Sequence, residues 1–372
     1  MSVLDAEHQR KLAQFKEEVF GEEIIHEGDS IGTDDETLLR FLRARKFDLP
    51  QSKLMLKNCQ HWRKTVGGKG IDKLHEEINP FDYPGRSEVL KHWAMFVHKT
   101  DKVGVINCHK QGRPVSVQIF RELNLPELYK HITPEKHWDA ICVNADNLTR
   151  EILPSSSRAA GRHIGTAFVI TDLKGFTLSQ FWQVKSLARS SFQISQDYFP
   201  ETMGRLAIIN APSSFTFIWN VVKRWLSKET QEKIDILGVD YRDRLLELID
   251  ADSLPAILGG SCQCKEGCDA SGAGPWMDER RARANGQAPG VEHDASLLEQ
   301  TTDDDGTADE QVPNKNLDIP EINGESAQKA ADKHQQDADP STANDISMLA
   351  ESHIGYDGSA PKPSVLAAAS AS

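Results

Sequence analysis

Apolar positions change period several times along this chain, and each change predicts an element. Leu12, Phe15 and Val19 recur at helical spacing within the polar segment Met1–Gly28, which predicts a helix with one buried stripe. Gly28–Gly32 reads as a turn. Thr33 followed by Glu36 has the form of a capping box, opening a helix that runs to Lys46. Leu38, Leu39 and Leu42 form its apolar side, and Arg40, Arg43, Arg45 and Lys46 make it cationic toward its C-terminus. Cations at that end gain a few tenths of a kcal/mol to about 1 from the helix dipole, which accounts for Arg45 and Lys46 without any ligand. Pro50 starts a further helix through Trp62. Residues 71–95, with Pro80, Pro84 and Gly85, read as irregular. From there strands are predicted at Met95–Val97, Val115–Phe120, Thr166–Ile170 and Leu206–Ile209. Helices are predicted from Pro134 to about Ile152, over Ser179–Ser195 and over Tyr241–Ile249. Strands alternating with helices predict an α/β sheet.

One stretch departs from amphipathic patterning. Phe215–Leu226 carries Phe215, Phe217, Ile218, Trp219, Val221, Val222, Trp225 and Leu226 against only four polar residues. As a helix it is apolar around most of its circumference, so it is either a core helix or one that faces an apolar surface. It is too short to span a bilayer. Two tryptophans with Lys223 and Arg224 beside the second suit a membrane interface.

Charge narrows the classes. The net charge of −13 over 372 residues resides in Ser261–Ser372, and the first 260 residues balance. A domain-wide basic footprint for nucleic acid is therefore absent. Residues 286–372 are rich in Asp, Glu, Gln, Ala, Ser and Gly, too poor in apolar surface to offset chain entropy, and are expected to form a disordered acidic tail. The N-terminus lacks the apolar segment of a secretory signal, and no apolar run reaches spanning length, so a soluble, intracellular protein is expected. No Gly-x-Ser-x-Gly elbow, phosphate loop or His-Glu-x-x-His motif is present. His98 and His163 read as structural or exposed. Cys262, Cys264 and Cys268 are one ligand short of a four-cysteine zinc site. A borrowed histidine would complete one, but a loop of free thiols is the preferred reading and no metal site is assigned.

Leu38-Leu-Arg-Phe-Leu-Arg-Ala-Arg-Lys-Phe-Asp48 resembles the helical lead-in of fungal CRAL-TRIO lipid-transfer proteins. The resemblance continues through His98-Lys-Thr-Asp-Lys102, Gly112-Arg-Pro114, Ser157-Arg-Ala-Ala-Gly161, Asp172-Leu-Lys-Gly175, Tyr198-Phe-Pro-Glu-Thr-Met-Gly204, Ile208-Ile-Asn-Ala-Pro212, Leu254-Pro and Gly259-Gly260. It implies a helical tripod over residues 1–75. A lipid-binding lobe comes next, over 76–285, in which a mostly parallel sheet floors an apolar pocket. A mobile helical gate closes that pocket and corresponds to Phe215–Leu226, with Phe215, Phe217, Ile218, Trp219, Val222 and Trp225 facing lipid or membrane.

The resemblance also implies a phosphatidylinositol headgroup site at Arg45, Lys46, Glu201, Thr230 and Lys233. Cations there suit phosphate, while Glu201 and Thr230 can bond inositol hydroxyls. Without the resemblance, Thr230 and Lys233 read as an ordinary pair on a solvated helix. The polar positions that hold phosphatidylcholine in the family fall on Val97, Ala145, Ala167 and Val169, so poor phosphatidylcholine binding is expected, with a sterol as an alternative ligand. Thr202 stands where the family often has arginine, which puts one cationic contact in question. Val103–Gln111 is inserted between two motifs that usually adjoin, either as a longer loop or as unspliced sequence. The resemblance thus implies a non-catalytic, monomeric carrier. Such a carrier is cytoplasmic and peripheral on Golgi, endosomal or plasma membranes, and supplies phosphatidylinositol 4-kinases. A lipid-modifying hydrolase is the rival from another class and lacks a nucleophile motif.

Overall fold

A computed structural model of the chain describes residues 4–102 and 112–286. Five strands lie side by side in chain order: β1 (Ala94–Thr100), β2 (Pro114–Ile119), β3 (Ala167–Asp172), β4 (Met203–Ile209) and β5 (Ile234–Ile236). β1 and β2 pair antiparallel, as the two arms of a hairpin must, and the remaining pairs are parallel. Parallel neighbours need crossovers. Right-handed crossovers that all progress in one direction put their helices on one face of the sheet.

Packing agrees with that rule. On one face, Phe96, Val115, Val117, Phe168, Ile170, Ala207 and Ile209 are buried beneath Leu245, Leu248 and Leu258 from the chain that follows β5. On the other, Met95, Val169, Leu206 and Ile208 pack with Phe181 and Val184 of the helix Leu178–Tyr198 and with Phe215 and Ile218. This second face is incompletely covered. Ser116, Gln118, Val169 and Thr171 belong to interior strands yet remain only half-buried, alternating with neighbours that are sealed. The period-2 alternation of β2 and β3 thus separates a closed face from an accessible one.

The N-terminal helices Ala6–Gly21, Asp35–Ala44 and Leu49–Thr65 form a core of their own around Phe15, Val19, Leu38, Phe41, Leu42 and Leu56. The second helix is capped by Asp34, not Thr33. A carboxylate accepts twice: the Thr37 amide donates to Oδ1 at 3.0 Å and the Thr37 hydroxyl to Oδ2 at 2.8 Å. The module is fastened to the lobe through Asp146, which is fully buried. Arg63 pairs with it, His75 Nε2 lies 3.0 Å from Oδ2, and Arg150 Nε donates to Oδ2 at 2.7 Å. Burial alone would raise the Asp146 pKa, but the close His75 imidazole and the two guanidinium charges outweigh it and hold the carboxyl below its ordinary range.

Several elements differ from the sequence reading. Residues 71–95 contain two short helices, Ile71–Glu77 and Arg86–His92. The residue before each, Gly70 and Gly85, takes a positive φ that turns the chain into the helix. The helix from Pro134 does not stop near Ile152. It passes through a π turn, Leu148–Ile152, into Leu153–Ala160, because a wider turn accommodates the Pro154 ring against the preceding carbonyls. β5 has only three residues, too few for its alternation to register in the sequence. The helix Pro275–Ala284 is likewise absent from the sequence reading. It buries Trp276 completely and is tied to the lobe by Glu279 with Arg158 and by Arg280 with Glu151. The insertion Val103–Gln111 and the tail beyond Gly286 lie outside the described residues.

Candidate functional site

Arg45 and Lys46 fall just past the helix Asp35–Ala44, not on it. Arg45 is the C-terminal cap, its Nη1 donating to the Ala44 carbonyl at 3.1 Å, and Lys46 turns into the left-handed region at φ 51°. Glu201 does the same at φ 57°, in the turn before β4. Left-handed backbone is uncommon for such residues and persists where surroundings enforce it. Here the enforcement is visible. Trp62 stacks on Tyr198 at 4.7 Å between centroids, and Cys59 Sγ donates to the Tyr198 carbonyl at 3.4 Å. The N-terminal module thereby clamps the segment that presents Glu201.

The structure brings the five expected headgroup residues into linked positions. Lys233 Nζ pairs with Glu201 Oε2 at 3.1 Å, both about one-third exposed. The Lys233 carbonyl accepts from the Leu206 amide at 2.9 Å, fixing the Lys233 backbone alongside β4. Lys46 Nζ reaches Glu229 Oε1 at 3.3 Å. Thr230 neighbours Glu229 on the turn Lys228–Gln231, where Ser227 Oγ accepts its amide at 3.1 Å. Glu229 is held below its ordinary carboxyl range, first by its own backbone amide and then by Lys46. Asp197 faces Arg45. Burial raises the Asp197 pKa, and the Gln193 hydrogen bond and, after it, the Arg45 charge only partly counter it. Lys46 and Lys233 are thus each paired with a carboxylate, and Arg45 lies within electrostatic reach of Asp197. Glu229 and Asp197 belong to no motif, so the sequence reading does not single them out.

Phe215–Leu226 is two elements, an α-helix Phe215–Val222 and a 3₁₀ turn Lys223–Trp225. Phe215 and Ile218 are buried against the accessible sheet face, whereas Phe217, Trp219, Val222 and Trp225 are only partly covered. Its last carbonyls are satisfied by side chains: Gln231 Nε2 donates to the carbonyls of Lys223 at 3.0 Å and Leu226 at 3.1 Å, and Gln196 Nε2 to that of Trp225 at 2.9 Å. Gln231 lies on the same turn as Glu229 and Thr230. The apolar helix and the charged cluster therefore share a mechanical connection. Phe217 continues outward to Trp182, with ring centroids 6.3 Å apart, and Lys185 Nζ sits 4.6 Å above the Trp182 ring. Trp182 is 48% exposed. Leu178, Trp182 and Lys185 fall at helical spacing, a signal that is present in the sequence itself.

Val97, Ala167 and Val169 lie on the accessible face by strand alternation. Val97 pairs with Ser116 and Ser116 with Val169. Ala167 is buried, and Ala145 packs in a separate cluster with Trp62 and Tyr198. Ser116 is thus a hydroxyl retained between two apolar positions, a neighbourhood that only strand pairing reveals. Thr202 is buried, its hydroxyl donating to the Phe199 carbonyl at 2.9 Å. It stabilises the turn that carries Glu201. Other recognised motifs also prove structural. Asp101 receives the Arg113 amide at 2.6 Å and its Nε at 2.7 Å, closing the hairpin across the insertion. Asp172 joins three strand ends, accepting from Arg121, Lys174 and Asn210. Among the described residues, no helix is long and apolar enough to cross a membrane.

Comparison with known proteins places this geometry. The CRAL/TRIO domain model matches residues 98–260, and the CRAL/TRIO N-terminal domain model matches residues 11–58. The Sec14 cytosolic factor of Schizosaccharomyces pombe is 43% identical over 252 residues, covering 68% of this chain and 83% of that protein. The SEC14 cytosolic factor of Kluyveromyces lactis is 38% identical over 293 residues, 77% of this chain and 90% of that one. The phosphatidylinositol/phosphatidylcholine transfer protein SFH4 of Arabidopsis thaliana is 33% identical over 277 residues, 74% of this chain but 43% of the longer plant protein. A tripod of helices clamped to a mostly parallel sheet, matched in both parts and at this identity, makes the chain a member of the CRAL/TRIO family.

Proposed function

We propose that this protein is a phosphatidylinositol carrier. It takes one lipid from a membrane, shields the acyl chains between the accessible sheet face and the helix Phe215–Val222, and releases or presents the lipid elsewhere. The observation that carries this reading is the linkage between an apolar helix over an unsealed sheet face and a cluster of Lys46, Lys233, Glu201 and Thr230 joined to it through Gln231. Lys46 and Lys233 would exchange their carboxylate partners for the inositol phosphate, and Arg45 would turn its guanidinium to the same phosphate. Glu201 and Thr230 would then accept from or donate to the ring hydroxyls. Phe217, Trp219, Val222, Trp225 and Trp182 would enter the interface when the helix swings out, with Lys185 staying in the headgroup layer.

The mechanism needs no covalent step, so we assign no enzymatic activity and no cofactor beyond the bound lipid. Apolar Val97, Ala167 and Val169 on the lipid-facing side support weak phosphatidylcholine binding, since a buried phosphate left without donors loses about 1–3 kcal/mol per missing bond. The same apolar positions favour a sterol as an alternative occupant. Action at a cytoplasmic membrane surface as a monomer, in support of phosphatidylinositol 4-kinase, belongs to the same reading. So does the division into a tripod over residues 1–75, a lobe over 76–285 and an acidic tail. Lipids extracted from the purified protein and identified by native mass spectrometry test it: phosphatidylinositol is expected, and recovery of phosphatidylcholine without it overturns the ligand assignment.

A further inference from the structure

Away from this site, at the outer edge of the sheet, four metal-binding side chains converge. His98 on β1, Cys262, Cys264 and Cys268 each offer a donor atom, and these atoms all lie within 4.8 Å of one another. His98 Nε2 is 3.4 Å from Cys262 Sγ, and Cys262 Sγ is 3.8 Å from Cys264 Sγ. A tetrahedral zinc ion with metal–sulfur bonds of about 2.3 Å and a metal–nitrogen bond of about 2.0–2.1 Å separates its ligands by about 3.8 Å for two sulfurs and about 3.5 Å for sulfur and nitrogen. These two separations fit those edges. The Cys262–Cys264 distance is too long for a disulfide, whose sulfurs stand about 2.05 Å apart.

The scaffold around the four groups is built from three directions. The Cys262 amide donates to the Leu254 carbonyl at 3.1 Å, and the Cys262 carbonyl accepts from Ala256 at 3.0 Å. Gly260 permits that clasp, since a Cβ there would lie 1.9 Å from the Leu254 carbonyl oxygen. The Gly267 amide donates to the Cys264 carbonyl at 3.0 Å, turning the chain so that Cys268 returns to the cluster. Lys99, next to His98, donates its amide to the Ala273 carbonyl at 2.6 Å, which holds β1 against the same segment. On the far side of the imidazole, Ser271 Oγ lies 3.5 Å from Nδ1, where an outer partner commonly orients a ligating ring. Three of the four donors lie beyond residue 260, where the match to the lobe's family model ends.

We propose that His98, Cys262, Cys264 and Cys268 bind one structural zinc ion. Nitrogen and thiolate donors in tetrahedral array select zinc over the oxygen-preferring cations. All four positions are filled by protein, so the site is closed to substrate and serves the fold. Binding releases the protons of whichever thiols are still protonated and involves no redox change. The ion would weld β1 to the segment leading into Trp276 and the helix Pro275–Ala284, joining residues 98 and 268. This departs from the preference for free thiols drawn from spacing alone, because spacing does not show that His98 lies beside them.

The test uses the full chain, purified under reducing conditions without chelator. Elemental analysis should find about one zinc per chain. Cobalt exchanged into the site should give the intense visible and near-ultraviolet bands of tetrahedral thiolate coordination. A strong chelator should remove the metal, lower the melting temperature and expose three further thiols to a thiol reagent. Cys264→Ser, at the partly exposed edge of the cluster, should lose the cobalt thiolate bands in proportion to one sulfur while the chain stays folded by circular dichroism. Zinc at background levels, with the same thiols reacting at the same rate before and after chelation, overturns the proposal. So does a Cys264→Ser protein with unchanged cobalt spectrum and zinc affinity.

Discussion

Replacement of Lys233 by alanine separates a ligand-binding role from a structural one. Its ammonium meets Glu201 at 3.1 Å, with side-chain exposures of 32% and 36%. A pair that accessible is screened by solvent, so its loss should cost at most about 1 kcal/mol of stability. In the loaded protein the same ammonium is proposed to bond a phosphate, and a hydrogen bond to a charged group contributes about 1.5–3 kcal/mol. At about 1.4 kcal/mol per tenfold, Lys233→Ala should weaken phosphatidylinositol binding by about 10- to 150-fold. The assay is transfer of labelled phosphatidylinositol between vesicles, run beside a thermal melt and vesicle co-sedimentation. Transfer should collapse while the melting temperature moves by only a few degrees and bilayer binding persists, since the apolar helix is untouched. Wild-type transfer by both Lys233→Ala and Arg45→Ala would rule out the proposed headgroup site. Lost transfer accompanied by a large drop in melting temperature would show that the Glu201 turn, not the lipid contact, depends on Lys233.

Other parts of the fold give further expected outcomes. Asp146→Asn should destabilise the protein by about 3–5 kcal/mol in chemical denaturation, because it leaves Arg63 buried without its countercharge; a change within experimental error would refute the view that this pair fastens the tripod to the lobe. The Asp146 pKa is depressed by folding, so its contribution is fully present above the unfolded value near 4 and fades as the pH falls through the lower folded value. Acid titrations of stability should therefore be steeper for the wild type than for Asp146→Asn below about pH 4. Trp182→Asp and Phe217→Asp should each cut vesicle co-sedimentation by about tenfold or more, from about 1.5–3 kcal/mol of lost apolar burial. Trp182→Asp, at a half-exposed surface position, should leave the melting temperature within about 2 °C. Undiminished membrane binding by both variants would place the membrane contact elsewhere.

Period and punctuation in the sequence determined most of the architecture. The alternation of β2, the apolar runs of β3 and β4, the helical stripe of Leu38, Leu39 and Leu42, and the all-round apolarity of Phe215–Leu226 are local properties, and local spacing reports them directly. The ordered motifs carried the family and, through it, the headgroup positions. Tertiary structure decided what those residues do next to one another. It set Lys233 against Glu201 and Lys46 against Glu229, across 32 and 183 positions of chain, and no periodicity encodes such a distance. It moved Arg45 and Lys46 off their helix, with Arg45 as its cap and Lys46 in a left-handed turn. It left one sheet face open, which depends on which elements cover it and not on the strands themselves. And it brought His98 to three cysteines 164 or more residues away, turning an incomplete ligand set into a complete one. Spacing fixes what a segment can form. Which partners it meets is set by long-range packing, where contacts are chosen by shape and charge in three dimensions.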